Sequence, residues 1–204
     1  MATTSFTAKD VQELRQRTGA GMMDCRNALQ ETGGDIEKAI DLLRKKGHAK
    51  AEKRVGRSAK EGLIASYIHH NGKVGVLVEV NCETDFVART DDFKQLVRSI
   101  AEHVAAGSPT VALAVSKDQV SADVVARERA IFADQAAASG KPENIVQKMV
   151  DGRVDKFYKE VALMEQPWVR DDSRTIGDLV KDATAKTGEN IVIRRFSRFQ
   201  MGEE

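Results

Sequence analysis

Asn81-Cys-Glu-Thr-Asp-Phe-Val-Ala-Arg89 is the stretch with the most chemistry in it. An alternating apolar run ends there, and a carboxylate, Asp85, stands directly before a large aromatic, Phe86, in what reads as a short irregular segment. Two readings follow. In one, Phe86 packs inward and Thr84 or Asp85 caps a turn. In the other, Phe86 is an exposed wedge that enters a partner's apolar pocket while the carboxylate engages polar groups around it; a buried interface aromatic is worth ~2–4 kcal/mol. Met22-Met23, after the tight turn Gly19-Ala-Gly21, poses the same question: core, or a soft, polarisable contact patch.

Other reactive side chains point to little. His69-His70 lie near Glu79, Glu83 and Asp85, but neighbours on a strand face opposite ways, and no H-E-x-x-H spacing is present, so a metal site is not expected. Cys25 and Cys82 form neither a C-x-x-C nor a disulfide framework; Cys25 sits on a helix without a nearby histidine and reads as a small buried hydrophobe. There is no G-x-S-x-G elbow, no phosphate loop and no G-x-G-x-x-G. No cofactor is expected. It lacks the leader pattern of a secreted protein and any long apolar span, which reads as cytoplasmic.

These residues need elements to hold them. Thr7-Ala-Lys-Asp10 predicts a capped helix through Val11 and Leu14 that stops at Thr18-Gly19. A second helix is expected from Met23 to Thr32. A third, capped by Asp35 and carrying Ile36, Ala39, Ile40 and Leu43, is expected to close at Gly47. Arg44 to Lys60 holds eight Lys/Arg against Glu52 alone; it reads as an exposed basic linker, with RNA binding as the alternative. It carries no stacking aromatics, so no specific nucleic acid is expected. Gly62 to His70 and Lys73 to Cys82 predict a hairpin around Asn71-Gly72, both taking positive φ, with Val74, Val76, Val78 and Val80 on one face. Thr90-Asp-Asp92 caps a helix with Phe93, Leu96, Val97, Ile100, Ala101 and Val104 inside. Residues 110–163 read as a helical arm: Ser121 caps one helix, Pro142 opens another, and Gly152 interrupts it. Thr175 caps a last helix that Gly188 stops, and Ile191 to Phe199 forms the third strand.

The predicted class is α+β: a three-helix head over 1–47, a basic linker over 48–61, and a core over 62–204 with a three-stranded antiparallel sheet packed by helices and the arm inserted. Composition agrees. The chain has 204 residues, 41% hydrophobic and 31% charged, with few aromatics. Its net charge of +1 hides a basic first sixty residues and a mildly acidic remainder, which speaks for a modular build.

With those segments in view, the chain resembles the bacterial translation elongation factor Ts family. Leu14-Arg-Gln-Arg-Thr-Gly-Ala-Gly-Met-Met-Asp-Cys-Arg-Asn-Ala-Leu29 and Gly34-Asp-Ile-Glu-Lys-Ala-Ile40 are similar to its ubiquitin-associated-type head. Val76 to Arg89 is similar to its core signature. Glu165-Gln-Pro-Trp-Val169 and Ile193-Arg-Arg-Phe-Ser-Arg-Phe199 are similar to its C-terminal portion. Asn27 stands where the family more often has Lys, and Thr90 where Asn is common. The resemblance is to the short, single-core form. It implies a homodimer that exchanges guanine nucleotide on elongation factor Tu, in both its GDP-bound and nucleotide-free states. It implies that Thr84, Asp85, Phe86 and Val87 push between partner helices and dislodge Mg²⁺ indirectly. It implies that the head, with Gly21, Met22 and Met23, grips the partner elsewhere. It implies no bond-making chemistry, so the chain is not expected to be an enzyme, and no membrane partner.

Overall fold

The computed structural model describes residues 6–138 and 140–203; the outermost residues of the expected head and core, 1–5 and 204, lie outside the described residues. Three helices open the chain. Thr7 and Asp10 form a reciprocal capping box for α1 (Ala8–Thr18), which Gly19 ends in a left-handed conformation at φ 68°. Helix α2 (Met22–Glu31) begins one residue earlier than expected, on Gly21. Asp35 caps α3 (Ile36–Glu52). Val11, Leu14, Cys25, Ala28, Leu29 and Ala39 form a small separate core.

Helix α3 corrects the sequence reading. It does not close at Gly47 but runs on through the basic segment, so the expected boundary between residues 47 and 48 falls inside a helix. Nor is this segment merely solvated. Ala51 is buried, and a Cβ added at Gly47 would meet that of Ala185 at 3.0 Å. A helix interior pays about 1 kcal/mol for glycine; here the missing side chain lets two helices approach. Arg44, His48 and Glu52 then reach Asp178, Asp182 and Lys181 on the last helix.

Strands β1 (Glu61–Ile68) and β2 (Val74–Cys82) pair antiparallel as expected. The turn differs in detail: Gly72 alone has positive φ, at 68°. The Gly72 amide bonds the His69 carbonyl at 2.8 Å, and the Asn71 side chain takes the Lys73 amide at 2.9 Å, so Asn71-Gly72 closes a longer loop. Val76, Val78, Val80 and Cys82 are fully buried on the inner face. Residues 85–88, expected to be irregular, form a single helical turn, α4 (Asp85–Ala88), capped by Thr84. Helix α5 (Asp91–Ala106) follows, capped by Thr90, and lays Phe93, Leu96, Val97 and Ile100 on the sheet.

The arm is a hairpin of α6 (Ala122–Ala137) and α7 (Glu143–Val161). Gly152 does not interrupt α7: a lone glycine costs a helix interior only about 1 kcal/mol and keeps its amide and carbonyl in the ladder. Ser121 stands at the start of α6 without a side-chain cap bond. Beyond the three expected strands, β3 (Pro167–Trp168) and β4 (Asp171–Thr175) form a short second ladder that sequence reading missed. Helix α8 (Ile176–Thr187) starts on a Thr175–Asp178 capping box and ends at Gly188. Strand β5 (Val192–Gln200) completes a sheet of order β1-β2-β5. No helix among the described residues is long and apolar enough to cross a membrane.

Candidate functional site

The α4 turn divides the four residues of its motif between two directions. Thr84 and Val87 hold the turn. The Thr84 hydroxyl accepts the Val87 amide at 3.4 Å, and Val87 packs on the main core. Asp85 and Phe86 project outward. Phe86 is 78% exposed, the most exposed phenylalanine of the chain's described residues. Burying a ring of that size contributes ~1.5–3 kcal/mol, which this fold forgoes. Asp85 carries Arg89 one turn away at 2.8 Å, on the surface, where such a pair holds weakly and exchanges readily.

Residues remote in sequence fix the turn. Both the Glu83 and Thr84 amides donate to Glu189 Oε2 at 3.1 Å, and the Thr84 hydroxyl donates to Glu189 Oε1 at 2.6 Å. In return Glu83 Oε1 accepts the Asn190 amide at 2.7 Å. Asn190 is buried and donates from its side chain to the Arg57 carbonyl at 2.8 Å. The Cys82 thiol donates to the Thr84 carbonyl at 3.1 Å. Burial, then the charge of Glu189, pushes that thiol up to about 11. Sequence reasoning weighed Glu83 only as a neighbour of His69-His70, and missed Glu189 and Asn190. Their one signal is two polar residues directly after a helix-ending glycine, a pattern common to many loops.

The head presents the other candidate surface. Gly21 is the extended residue that opens α2, with no side chain to cap it. Met22 and Met23 follow at 46% and 61% exposure, so both thioethers stand off the head's own core. Cys25, one turn on, is fully buried, and burial raises its thiol above the usual value. A cleft of 680 Å³ lies between the head and helices α5 and α8, beside the packing of α3 on α8, and Gly21, Asp24, Asp92 and Leu179 are among its lining residues. Ion pairs Lys50–Asp24 and Lys186–Asp92 border it.

The remaining candidates resolve differently. His69 and His70 do not diverge as strand neighbours would. Both lie past the end of β1, and their rings sit 4.1 Å apart. His69 Nδ1 meets the Tyr67 hydroxyl at 3.2 Å. Among the described residues no group of three His, Cys, Asp or Glu is placed to hold a metal. In the basic segment Arg44, Lys46, Lys50 and Arg57 pair with Asp178, Glu31, Asp24 and Glu83. The pairing takes up four of the segment's eight cations.

The two faces of the sheet contrast. Leu63, Ala65, Tyr67 and Phe196 turn inward with the valines. By register the other face carries Ile64, Leu77, Ile68 and Phe199, all exposed, with Glu79 and Arg195 paired among them at 2.7 Å.

A family model described as Elongation factor TS matches residues 3–203. Relatives named Elongation factor Ts match nearly end to end. The protein of Fervidobacterium nodosum is 55% identical over 198 residues, 97% of this chain and 99% of its own. That of Syntrophobacter fumaroxidans is 54% identical over 202 residues, 99% of this chain and 100% of its own. That of Anaeromyxobacter dehalogenans is 59% identical over 198 residues, 97% of this chain and 89% of its own.

Proposed function

The chain belongs to the elongation factor Ts family, the nucleotide-exchange factors of translation elongation, and on that premise we propose that it binds elongation factor Tu and opens its nucleotide site with the α4 turn. Phe86 is the wedge. It enters between partner helices, and Asp85 exchanges Arg89 for the polar groups that the wedge displaces. The displacement shifts the groups around Mg²⁺, whose charge holds the GDP phosphates in a P-loop GTPase. With the ion gone the phosphates lose their counter-charge and GDP leaves. No covalent bond is made or broken. The factor and the nucleotide weaken each other's binding by the same ratio, so the nucleotide-free complex is the tight one. Met22 and Met23, which follow Gly21, grip the partner at a second place.

The observation that carries this reading is the exposure of Phe86 on a turn whose every other side chain is paired, capped or packed. Release of fluorescent GDP from elongation factor Tu tests it. The protein should accelerate release strongly in Mg²⁺ buffer, and the acceleration should shrink when a chelator has already removed the ion. Equal acceleration with and without Mg²⁺ would sink the displacement step.

We propose further that a second copy covers the outer face of the sheet. Ile64, Ile68, Leu77 and Phe199 form a patch on which two copies meet by two-fold symmetry. Leu77→Asp should shift the sedimenting species from dimer to monomer; a monomeric wild type would refute this.

A further inference from the structure

We propose that Glu189 is a positioning residue for nucleotide exchange: its carboxylate clasps the Glu83 and Thr84 amides and the Thr84 hydroxyl, and so holds Phe86 ready to insert. The inference rests on the wedge reading of Phe86. A four-residue helical turn has no stability of its own, since nucleating a helix fixes several residues for a single backbone bond. Its order must come from outside. Packing supplies part, through Val87 and Ala88. The directional part comes from the loop after α8. Gly188, at φ 78°, turns the chain sharply at the end of that helix and delivers Glu189 to the exit of β2. There both carboxylate oxygens are used, one on two backbone amides at 3.1 Å and the other on a hydroxyl at 2.6 Å.

The contact is reciprocal. Glu83 reaches back to the Asn190 amide at 2.7 Å, and Asn190 is tied to the Arg57 carbonyl. The clasp therefore joins the strand exit, the α8–β5 loop and the end of the basic segment into one rigid seat. A wedge that must displace groups in a partner works only if it does not yield first. Ordering a loose turn at the moment of insertion costs binding free energy that a pre-ordered turn keeps.

The test is maximal stimulated GDP release from elongation factor Tu, together with the factor concentration that gives half of it. Without the clasp, docking through the head continues but insertion fails more often. Glu189→Ala should lower the plateau about tenfold, ~1.4 kcal/mol, with the half-saturating concentration changed less than ~2-fold. Glu189→Gln should restore most of the plateau. Its amide oxygen can take both backbone amides, and its NH₂ can donate to the Thr84 hydroxyl, which accepts as well as donates. A merely destabilised variant would instead raise the half-saturating concentration and keep the plateau, because excess factor makes up for an inactive fraction. That outcome, or a wild-type plateau for Glu189→Ala, overturns the inference. Should Glu189→Ala not fold, Glu189→Asp is used, whose shorter side chain cannot span both contacts; a wild-type plateau there overturns it equally. Phe86→Ala run alongside separates the claims: a full plateau for Phe86→Ala strikes the wedge reading itself, whereas a full plateau for the Glu189 variants alone strikes only the clasp.

Discussion

The chain offers exposed apolar side chains at the start of two helices, and the two are built in opposite ways. At α4 a single rigid ring, Phe86, stands on a turn fixed by Thr84, Glu189 and the main core. At α2 two flexible thioethers, Met22 and Met23, stand on a start with no side-chain cap, supported by the head's small core. A residue that must displace something is best held in advance, because insertion then costs little ordering entropy. A residue that must conform to a surface gains from methionine's three rotatable bonds. Under the function proposed above, the contrast divides the work: the turn is to change the partner, and the head is to hold it.

The largest expected effect comes from breaking both regions at once. Met22→Ala/Met23→Ala/Phe86→Ala should abolish stimulated GDP release. Its loss should equal the sum of the separate losses, because the regions rest on different cores. A strongly non-additive loss would mean that they act as one surface. Below the loss of at least ~30-fold expected of Phe86→Ala alone comes Met22→Ala/Met23→Ala. It should raise the half-saturating factor concentration ~5–30-fold, about 1–2 kcal/mol of contact, and leave the maximal rate near wild type. A collapsed maximal rate would erase the division of labour.

A smaller effect separates the regions by their supports. His103 is fully buried beneath the core. Its Nδ1 accepts the Val169 amide at 3.2 Å, so Nε2 bears the proton donated to Gln166 Oε1 at 3.0 Å. Burial lowers its pKa below the ordinary value, and the bond to Gln166 offsets this only in part. The unfolded chain therefore takes up the proton first. The contribution is complete above the usual histidine pKa of about 6.5, and stability falls as pH drops below it, by at most ~1.4 kcal/mol per pH unit. Native-state hydrogen exchange at pH 7.5 and pH 5.5 should show the acid loss in β2 and α5, with much less in α1 and α2. His103→Gln should remove the pH dependence. Smallest is a difference in thiol labelling at pH 8. Cys25 should react before Cys82, since the head's core is the smaller of the two and the Cys82 thiol is pushed up to about 11.

Features set by a few neighbouring residues were legible in the sequence. The capping boxes at Thr7 and Thr175 and the period of two through Val74–Val80 all name their own elements. So did the left-handed stops at Gly19 and Gly188. What failed depended on partners far along the chain. Gly47 reads as a helix stop, yet Ala185 packs where its side chain would be. Gly152 is the exception: it reads as a break, but a lone glycine costs a helix only about 1 kcal/mol, and α7 continues through it. Residues 83–89 read as irregular because a four-residue turn leaves no period to detect; Glu189, more than a hundred residues on, orders it. Asp85 and Phe86 were legible as a charged aromatic pair at a strand exit. The direction of Phe86, inward or outward, was not, because spacing alone does not say which face of a single turn is covered.

The central claim is that a pre-ordered Phe86 drives release while the head supplies grip. The most direct measurement is the plateau rate of fluorescent GDP release from elongation factor Tu at saturating Phe86→Ala, beside wild type. The account predicts that the plateau falls by at least ~30-fold, the ~2 kcal/mol of a buried aromatic anchor, while the half-saturating concentration stays within ~3-fold. A Phe86→Ala plateau equal to wild type would contradict it.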